Sequence, residues 1–232
     1  MRLALLPLSI AFAALSFACS STGGTSAATA EAPLAAEAAR NADRALVRLI
    51  EGNARFADGK LELDVDVMRR AALVQGQHPF STVLGCADSR VVPELLFDQT
   101  LGDLFVIRVA GNVVAEDEAG SIEYAVEHLD TPLVLVLGHE GCGAVTAAVD
   151  CTDIELIEEA KLIERLKPSL KGIDRSLPRE TQIHLGVEAN VRRSVHQLMD
   201  IARRENHQDR VRIMGAVYEL DTGRVRVLDI EA

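Results

Sequence analysis

The chain has 232 residues, 48% of them hydrophobic, which is enough for one sizeable α/β domain with a real core. Its formal net charge is −11, from 35 acidic and 24 basic residues, and only 3% of its residues are aromatic. Such a chain would repel a phosphate backbone and offers few platforms on which bases could stack, so we expect no nucleic-acid partner.

Residues 1–18 place one arginine before a long apolar run, "LALLPLSIAFAALSFA", which is typical of an export signal peptide and too short for a preferred membrane span. Cys19 follows directly, and residues 19–35 are rich in Ser, Thr, Gly and Ala, as in a flexible tether. This arrangement resembles a bacterial lipoprotein, in which the cysteine after the signal is acylated. It implies a periplasmic protein anchored to a membrane through Cys19. Ordinary cleavage in the Ala-rich stretch, giving a free periplasmic protein, stays open as the alternative.

From about residue 36 the chain alternates between helical periodicity and short apolar runs. Helical spacing recurs in "ALVRLIEGNARF" and "DVMRRAALVQGQ". Strands are predicted for the Val-, Ile- and Leu-rich runs "STVLGC", "DLFVIRVA" and "PLVLVLGH". Helical segments such as "AGSIEYAVEHL" separate these runs, which is the alternation expected of a parallel sheet covered on both faces.

The C-terminal third continues the α/β pattern. Two amphipathic helices are predicted in "DIELIEEAKLIERLK" and "EANVRRSVHQLMDIARREN". The runs "RVRIMGAVYEL" and "RVRVLDI" predict two strands joined by a tight turn. We therefore expect one catalytic domain over residues 36–232, with a mainly parallel central sheet flanked by helices and an additional C-terminal strand pair.

Polar and sulfur-bearing side chains follow two of the predicted strands. Cys86, Asp88 and Arg90 lie in "GCADSR" after the first strand, and His139 and Cys142 lie in "GHEGCGA" at the end of the third. Ligands collect at the carboxyl ends of parallel strands. Thiolate and imidazole are ligands that zinc prefers, and three protein ligands leave a fourth position free for water, as in a catalytic site. These segments therefore predict one zinc ion per chain.

Three cysteines remain within residues 36–232, an odd number that does not indicate a disulfide scaffold. Cys151 lies after the candidate ligand Cys142, with no second histidine nearby, so we interpret it as a small packed thiol. A thiol redox role is a further hypothesis, but the chain contains no C-x-x-C.

The segments "CADSR", "DQTLGDLFVIRVAGN", "IEYAVEHL" and "GHEGCGAV", in this order and at this spacing, resemble a β-class carbonic anhydrase. The resemblance is close over residues 45–150 and looser beyond. It implies a carbonate dehydratase, a lyase that reversibly hydrates carbon dioxide to bicarbonate and a proton through zinc-bound hydroxide. It also implies a site in which two sets of residues act: zinc ligands Cys86, His139 and Cys142, and a catalytic dyad of Asp88 and Arg90.

The chemistry of these residues is consistent with those roles. Arg90 can hold Asp88 through paired, charge-assisted hydrogen bonds, which keeps the carboxylate ionised and away from the metal. Two thiolates and one neutral imidazole cancel the formal charge of zinc, so its water should be less acidic than in a site with three histidines. We therefore expect the rate to rise into mildly alkaline pH.

Substrate-binding residues follow from the same resemblance. Gln77, in "GQHPF", matches the residue that orients carbon dioxide or bicarbonate, and Gly143 matches the residue whose backbone N–H places bicarbonate. Part of the apolar wall around carbon dioxide comes from a second subunit in the family, which implies a homodimer or higher homo-oligomer. The positions of this wall match Phe105, Ala110 and Tyr124. For Phe105 and Ala110, ordinary core packing is a near-equal alternative.

One position departs from part of the family. Members that shut down with bicarbonate at a second site carry a tryptophan three residues before the first cysteine ligand, and an arginine later. This chain has Val83 at that position and no tryptophan, although Arg108 is present. We therefore expect Asp88 to stay paired with Arg90 and the metal to stay open across neutral pH.

Two other functions remain as alternatives. A related zinc hydrolase acting on COS or CS2 would use the same zinc hydroxide on a linear electrophile. A non-catalytic lipoprotein that binds zinc or bicarbonate is the second alternative. The intact Asp88, Arg90 and Gln77 argue against it, because binding alone would not need the dyad.

Overall fold

The computed structural model describes residues 28–150 and 157–231. The predictions made for Cys19, for Cys151 and for the export signal lie outside these residues. In chain order the helices and strands are α1 (Ala28–Ala57), α2 (Val67–Ala72), β1 (Ser81–Gly85), α3 (Pro93–Leu96), β2 (Leu104–Arg108), α4 (Glu116–His128), β3 (Leu133–His139), α5 (Gly143–Asp150), α6 (Ile157–Leu166), α7 (Arg179–Arg204), β4 (Arg212–Tyr218) and β5 (Val225–Val227).

The five strands form one sheet in the order β2-β1-β3-β4-β5. The pairs β1–β2, β1–β3 and β3–β4 are parallel, and β5 pairs antiparallel with β4. Every residue of β1 and β3 is buried, because helices cover both faces of these central strands. The predicted α/β fold, with a mainly parallel sheet and a C-terminal strand pair, is confirmed.

Alternate residues of the central strands serve two separate cores, as the period of two in a strand requires. On one face, Leu135 of β3 packs in a cluster with Leu49 of α1 and Phe97. On the other face, Val136 packs in a cluster with Val191 and Val195 of α7. Both faces of β3 are therefore closed to water, and only the ends of the strand can carry polar chemistry.

Helix α1 begins at Ala28, upstream of residue 36, where the apolar spacing predicts a helix. Its first residues, "ATAEAPLA", contain mainly Ala and Glu, which are strong helix formers. Residues 28–35 of the predicted tether are thus helical in the structure. None of the helices within residues 28–150 and 157–231 combines the length and the apolar content needed to cross a bilayer.

Candidate metal centre

The loops that follow β1 and β3 bring Cys86, His139 and Cys142 together. The two sulfur atoms and the imidazole nitrogen all lie within 4.8 Å of one another. All three side chains are buried, His139 completely. The three candidate ligands, which come from two distant segments of the chain, therefore form one compact cluster at the carboxyl edge of the sheet.

Strand pairing explains why these residues meet. Because β1 and β3 are adjacent and parallel, with Gly85 beside Leu137, their carboxyl ends lie next to each other. His139 is the last residue of β3. Gly141 then adopts a left-handed conformation with φ of 59°, which a residue without a side chain adopts at little cost, and Cys142 follows, directly before α5.

The imidazole of His139 is oriented by the backbone. Its Nδ1 lies 2.9 Å from the carbonyl oxygen of Glu140. A carbonyl only accepts hydrogen bonds, so Nδ1 carries the proton and Nε2 keeps its lone pair. Nε2 is buried and has no hydrogen-bond partner in the structure. A buried unpaired nitrogen is costly, and a metal ion bound by Nε2 and the two sulfurs would satisfy it.

The two thiols of the cluster differ in acidity. A hydrogen bond from Cys142 lowers the pKa of Cys86 to about 4. The same bond, together with burial, raises the pKa of Cys142. Gly111 also donates its backbone N–H to Cys86 Sγ at 3.3 Å. A divalent cation bound by both sulfurs would replace the hydrogen bond between them.

Asp88 and Arg90 form a two-pronged ion pair beside the cluster. Arg90 donates from Nε to Oδ1 at 2.9 Å and from Nη2 to Oδ2 at 2.7 Å. The Arg90 side chain, helped by its backbone N–H, holds the pKa of the Asp88 carboxyl well below its usual range. Asp88 Oδ2 lies 3.9 Å from His139 Nε2. An ionised carboxylate therefore stands next to the candidate metal position and is held by the arginine.

Arg108 fixes the backbone of this loop, a role that sequence reasoning missed. It donates from Nε to the carbonyl of Cys86 at 3.0 Å and from Nη2 to the carbonyl of Asp88 at 2.6 Å. The signal for this role is its position as the last residue of β2, which pairs with β1. The residue considered above for a regulatory site is thus engaged in shaping the ligand loop.

Two of the predicted substrate residues lie close to the cluster along the chain. Gly143 follows the ligand Cys142, and a Cβ added to Gly143 would meet no heavy atom within 4 Å. Ala110 belongs to the 3-10 turn Ala110–Asn112, whose Gly111 contacts Cys86. Open space therefore lies in front of Gly143, where a small substrate has room.

The other predicted substrate residues lie elsewhere in the single chain. The rings of Phe105 and Tyr124 are 6.2 Å apart, on β2 and α4. Phe105 pairs in register with Thr82, near the amino end of β1. Gln77 is exposed and precedes the first residue of β1, whereas Cys86 follows its last. The five residues of β1 span roughly 16 Å. The length of β1 thus lies, along the chain, between Gln77 and the first metal ligand.

A buried Cys-His-Cys cluster with an adjacent carboxylate, at the carboxyl edge of a parallel sheet, defines a metal-dependent α/β enzyme. The family model for carbonic anhydrases matches residues 81–225. Carbonic anhydrase 2 of Mycobacterium tuberculosis is 40% identical over 193 residues, which cover 78% of this chain and 90% of that protein. The chain belongs to the carbonic anhydrase family.

Solved structures agree on the class. A Coccomyxa β-carbonic anhydrase in complex with acetazolamide is similar with a TM-score of 0.63 and 28% identity, over 70% of this chain and 78% of that one. A tetrameric β-carbonic anhydrase from Sordaria macrospora is similar with a TM-score of 0.58 and 26% identity, over 68% of this chain and 85% of that one. The predicted β-class membership is confirmed: the chain is a carbonic anhydrase, an enzyme of carbon dioxide hydration, and its Cys-His-Cys group fits the zinc that this class uses.

Proposed function

We propose that Cys86, His139 and Cys142 hold the catalytic zinc, so that carbon dioxide is hydrated at this edge of the sheet. The observation that carries the proposal is the buried, unpartnered Nε2 of His139, grouped with two sulfurs within 4.8 Å. When bound, zinc supplies a Lewis acid that lowers the pKa of a water molecule towards neutrality. Cys86, His139 and Cys142 would hold the ion, and the water that it activates would bind beside them.

Asp88 orients the attacking water in this proposal. Oδ1 accepts hydrogen bonds from the backbone N–H and from Nε of Arg90, whereas Oδ2 accepts one from Nη2 and keeps a further lone pair. Oδ2, which lies 3.9 Å from His139 Nε2, can therefore accept a hydrogen bond from a water at the fourth position. Arg90 keeps the carboxylate ionised and paired with its guanidinium. This pairing prevents Asp88 from becoming a ligand of the metal.

Gly143 places the product. It is the first residue of α5, where backbone N–H groups lack partners within the helix and favour a negatively charged oxygen. The open space in front of its Cα admits a group that a side chain would otherwise displace. The backbone N–H of Gly143 thus binds an oxygen of bicarbonate as charge develops on it.

Zinc content and thiol accessibility test the metal ligands without relying on activity. Elemental analysis should find one zinc per chain. Titration of free thiols should detect two more cysteines after chelation than before, because the metal shields Cys86 and Cys142. A metal-free protein that hydrates carbon dioxide at the full rate, or a thiol count that chelation does not change, would overturn the proposal.

We further propose that Gln77 acts from a second copy of the chain. Gln77 is exposed and lies at the amino end of β1, whereas the metal ligand Cys86 follows its carboxyl end, so in this proposal another chain presents the amide to the substrate. Exposed large apolar side chains cluster between α1 and β1 and give such a copy a surface to cover. These residues are Leu61, Val65, Val67, Met68 and Val74. The tetrameric state of the Sordaria macrospora enzymes supports a homodimer or a higher assembly.

Native mass spectrometry of the zinc-loaded protein tests the assembly. We expect a dimer or an even multiple of it. A protein that stays monomeric at micromolar concentration and hydrates carbon dioxide at full rate would contradict the role of Gln77, and would leave the metal ligands unaffected.

We also propose export to the bacterial periplasm with a lipid anchor at Cys19. Support comes from the sequence alone: the apolar run after Arg2, the cysteine that follows it, and the Ser- and Gly-rich residues behind. Radiolabelled palmitate should enter the wild-type protein and not Cys19→Ala. Label in Cys19→Ala, or wild-type protein found entirely in the soluble periplasmic fraction, would contradict the anchor.

A further inference from the structure

A polar cavity lies between α6 and α7. The proposed function gives no role to the residues that line it. Its volume is about 350 Å³, and its charged lining consists of Lys161, Arg165 and Arg193 with a single acid, Glu164. The remaining polar lining comes from α7 and carries amide and hydroxyl groups. Arg165 and Arg193 alone outnumber the single carboxylate, which gives the cavity a positive local charge in a chain whose net charge is −11.

Neighbouring carboxylates do not neutralise the two arginines of the cavity. In the part of the chain that the structure describes, Arg165 and Arg193 form no ion pair. Other arginines of this acidic protein do, as Arg210 with Glu127 and Asp130 shows. Two unpaired guanidinium groups that line one cavity are the arrangement by which proteins bind oxyanions.

Four residues of α7 line the cavity along one face of the helix. Asn190, Arg193, Ser194 and Gln197 follow the spacing i, i+3, i+4 and i+7, so they form one stripe along the helix, and all four line the cavity. Two members of the stripe reach beyond it. Asn190 donates to the carbonyl of Gly111 at 2.7 Å, and Ser194 donates to the carbonyl of Asn112 at 3.2 Å.

The turn held by these two bonds also contacts a metal ligand. Gly111, with φ of 69°, donates its N–H to Cys86 Sγ at 3.3 Å. Asn112 is buried and its side-chain Nδ2 has no partner in the structure. The two residues that follow, Val113 and Val114, line the cavity. The stretch from Gly111 to Val114 thus contacts the metal cluster at one end and the cavity at the other.

We propose that this cavity binds a small oxyanion of the phosphate type, and that its occupancy is sensed at Cys86 through Asn190 and Gly111. The two arginines supply charge-assisted donors, and Gln197 and Ser194 supply neutral ones. No aromatic side chain lines the cavity, so it has no platform for a nucleobase, and its volume is near the lower limit of small-molecule sites. The inference goes beyond carbon dioxide hydration and does not depend on the roles proposed for Asp88 or Gln77.

The cavity is tested by titrating inorganic phosphate into the full, zinc-loaded chain at constant ionic strength and following the heat of binding. We expect saturable binding that weakens at least tenfold in Arg193→Gln and in Arg165→Gln. Arg204→Gln is the matched control, because Arg204 is an exposed arginine of α7 outside the cavity and should not change the affinity. Unchanged melting temperatures without phosphate show that the variants fold.

Cobalt(II) in place of zinc reports on the coupling to the metal centre. Phosphate should shift the visible absorption of the cobalt protein in the wild type and in Arg204→Gln, and the shift should disappear in Arg193→Gln. A shift of equal size in Arg193→Gln would mean that phosphate binds at the metal itself, and would overturn the proposal. Absence of binding to the wild type, or binding that neither arginine affects, would do the same.

Discussion

The two ends of strand β1 differ in how much of the active site a single chain completes. At the carboxyl end, Cys86 meets His139 and Cys142 in a buried cluster whose backbone is held by Arg108. At the amino end, Gln77 is exposed and has no hydrogen-bond partner in the described part of the chain. The cluster of candidate metal ligands is therefore assembled within one chain, whereas the proposed role of Gln77 in substrate orientation needs a contact between chains.

This difference has a physical reason. Metal ligands must be held to within a few tenths of an ångström, which strand ends with buried neighbours achieve. A residue that only orients a small, weakly polar substrate can come from a surface that becomes ordered on association. Changes at the carboxyl end should thus affect zinc and activity together, and changes at the amino end should affect activity alone.

The largest effect is expected for Cys142→Ser. Loss of one of three ligands leaves an incomplete site, so zinc content should fall and carbon dioxide hydration should drop by more than about a hundredfold, since even outer partners of metal ligands typically contribute ten- to a hundredfold. Elemental analysis and stopped-flow hydration rates measure both. Cys151→Ser is the matched control, because we interpret Cys151 as a packed thiol, and it should keep its zinc. A Cys142→Ser protein with full metal and activity would refute the ligand assignment.

Arg90→Ala should lower activity by about ten- to a hundredfold while zinc stays bound. Without the two hydrogen bonds from Arg90, Asp88 is free to turn towards the metal and close the fourth position. Zinc content and hydration rate, measured on the same sample, separate this effect from ligand loss. Arg224→Ala removes an exposed arginine from a loose surface pair with Asp58, at 3.7 Å, and should leave both quantities unchanged.

Two glycines near the metal ligands should respond differently to alanine. At Gly138, next to His139, an added Cβ would lie 2.5 Å from Val191 Cγ2, so Gly138→Ala should reduce the free energy of unfolding by about 1–3 kcal/mol. At Gly143 the Cβ meets nothing within 4 Å, so Gly143→Ala should keep the stability within about 0.5 kcal/mol and lower activity by entering the substrate space. Denaturant unfolding and hydration rates distinguish the two. Equal stability losses would contradict the packing described for β3.

The smallest effect is expected from pH acting on Asp88. Arg90 lowers the pKa of this carboxyl, so the native state binds its proton less readily than the unfolded chain does. The stabilisation is fully present above the unfolded pKa, near 4, and is lost only as pH falls through the lowered native value. Asp88 therefore does not titrate between mildly acidic and mildly alkaline pH. Log activity should follow a single ionisation of unit slope, rising into alkaline pH.

Measuring the pH dependence of activity with added bicarbonate tests whether a closed state of the metal site exists. Val83, which is completely buried, stands where a tryptophan would support a closed state. Added bicarbonate should therefore produce ordinary product inhibition without making the pH profile steeper. A steep, cooperative loss of activity that bicarbonate deepens would show that the closed state exists despite Val83.

The sequence predicted the carboxyl end of β1 better than the amino end. Continuous apolar runs predict buried strands, and polar residues that follow them must lie at the sheet edge, so Cys86 and His139 could be placed together. The hydrogen bonds from Arg108 to the ligand loop, and the position of Gln77 at the opposite end of β1 from Cys86, depend on which strands are neighbours in the sheet. Hydrophobic periodicity does not carry that information. The start of α1 at Ala28 was missed because an Ala-rich composition suits both a tether and a helix.

Complementation between two inactive chains tests the division of the site most directly. Cys142→Ser and Gln77→Ala, co-expressed with different tags and purified through both, give assemblies in which one chain has the metal ligands and the other has Gln77. If the amide acts across the contact, these mixed assemblies should be clearly more active than the average of the two variants measured separately. Activity equal to that average would contradict the account, because Gln77 would then serve the metal centre of its own chain.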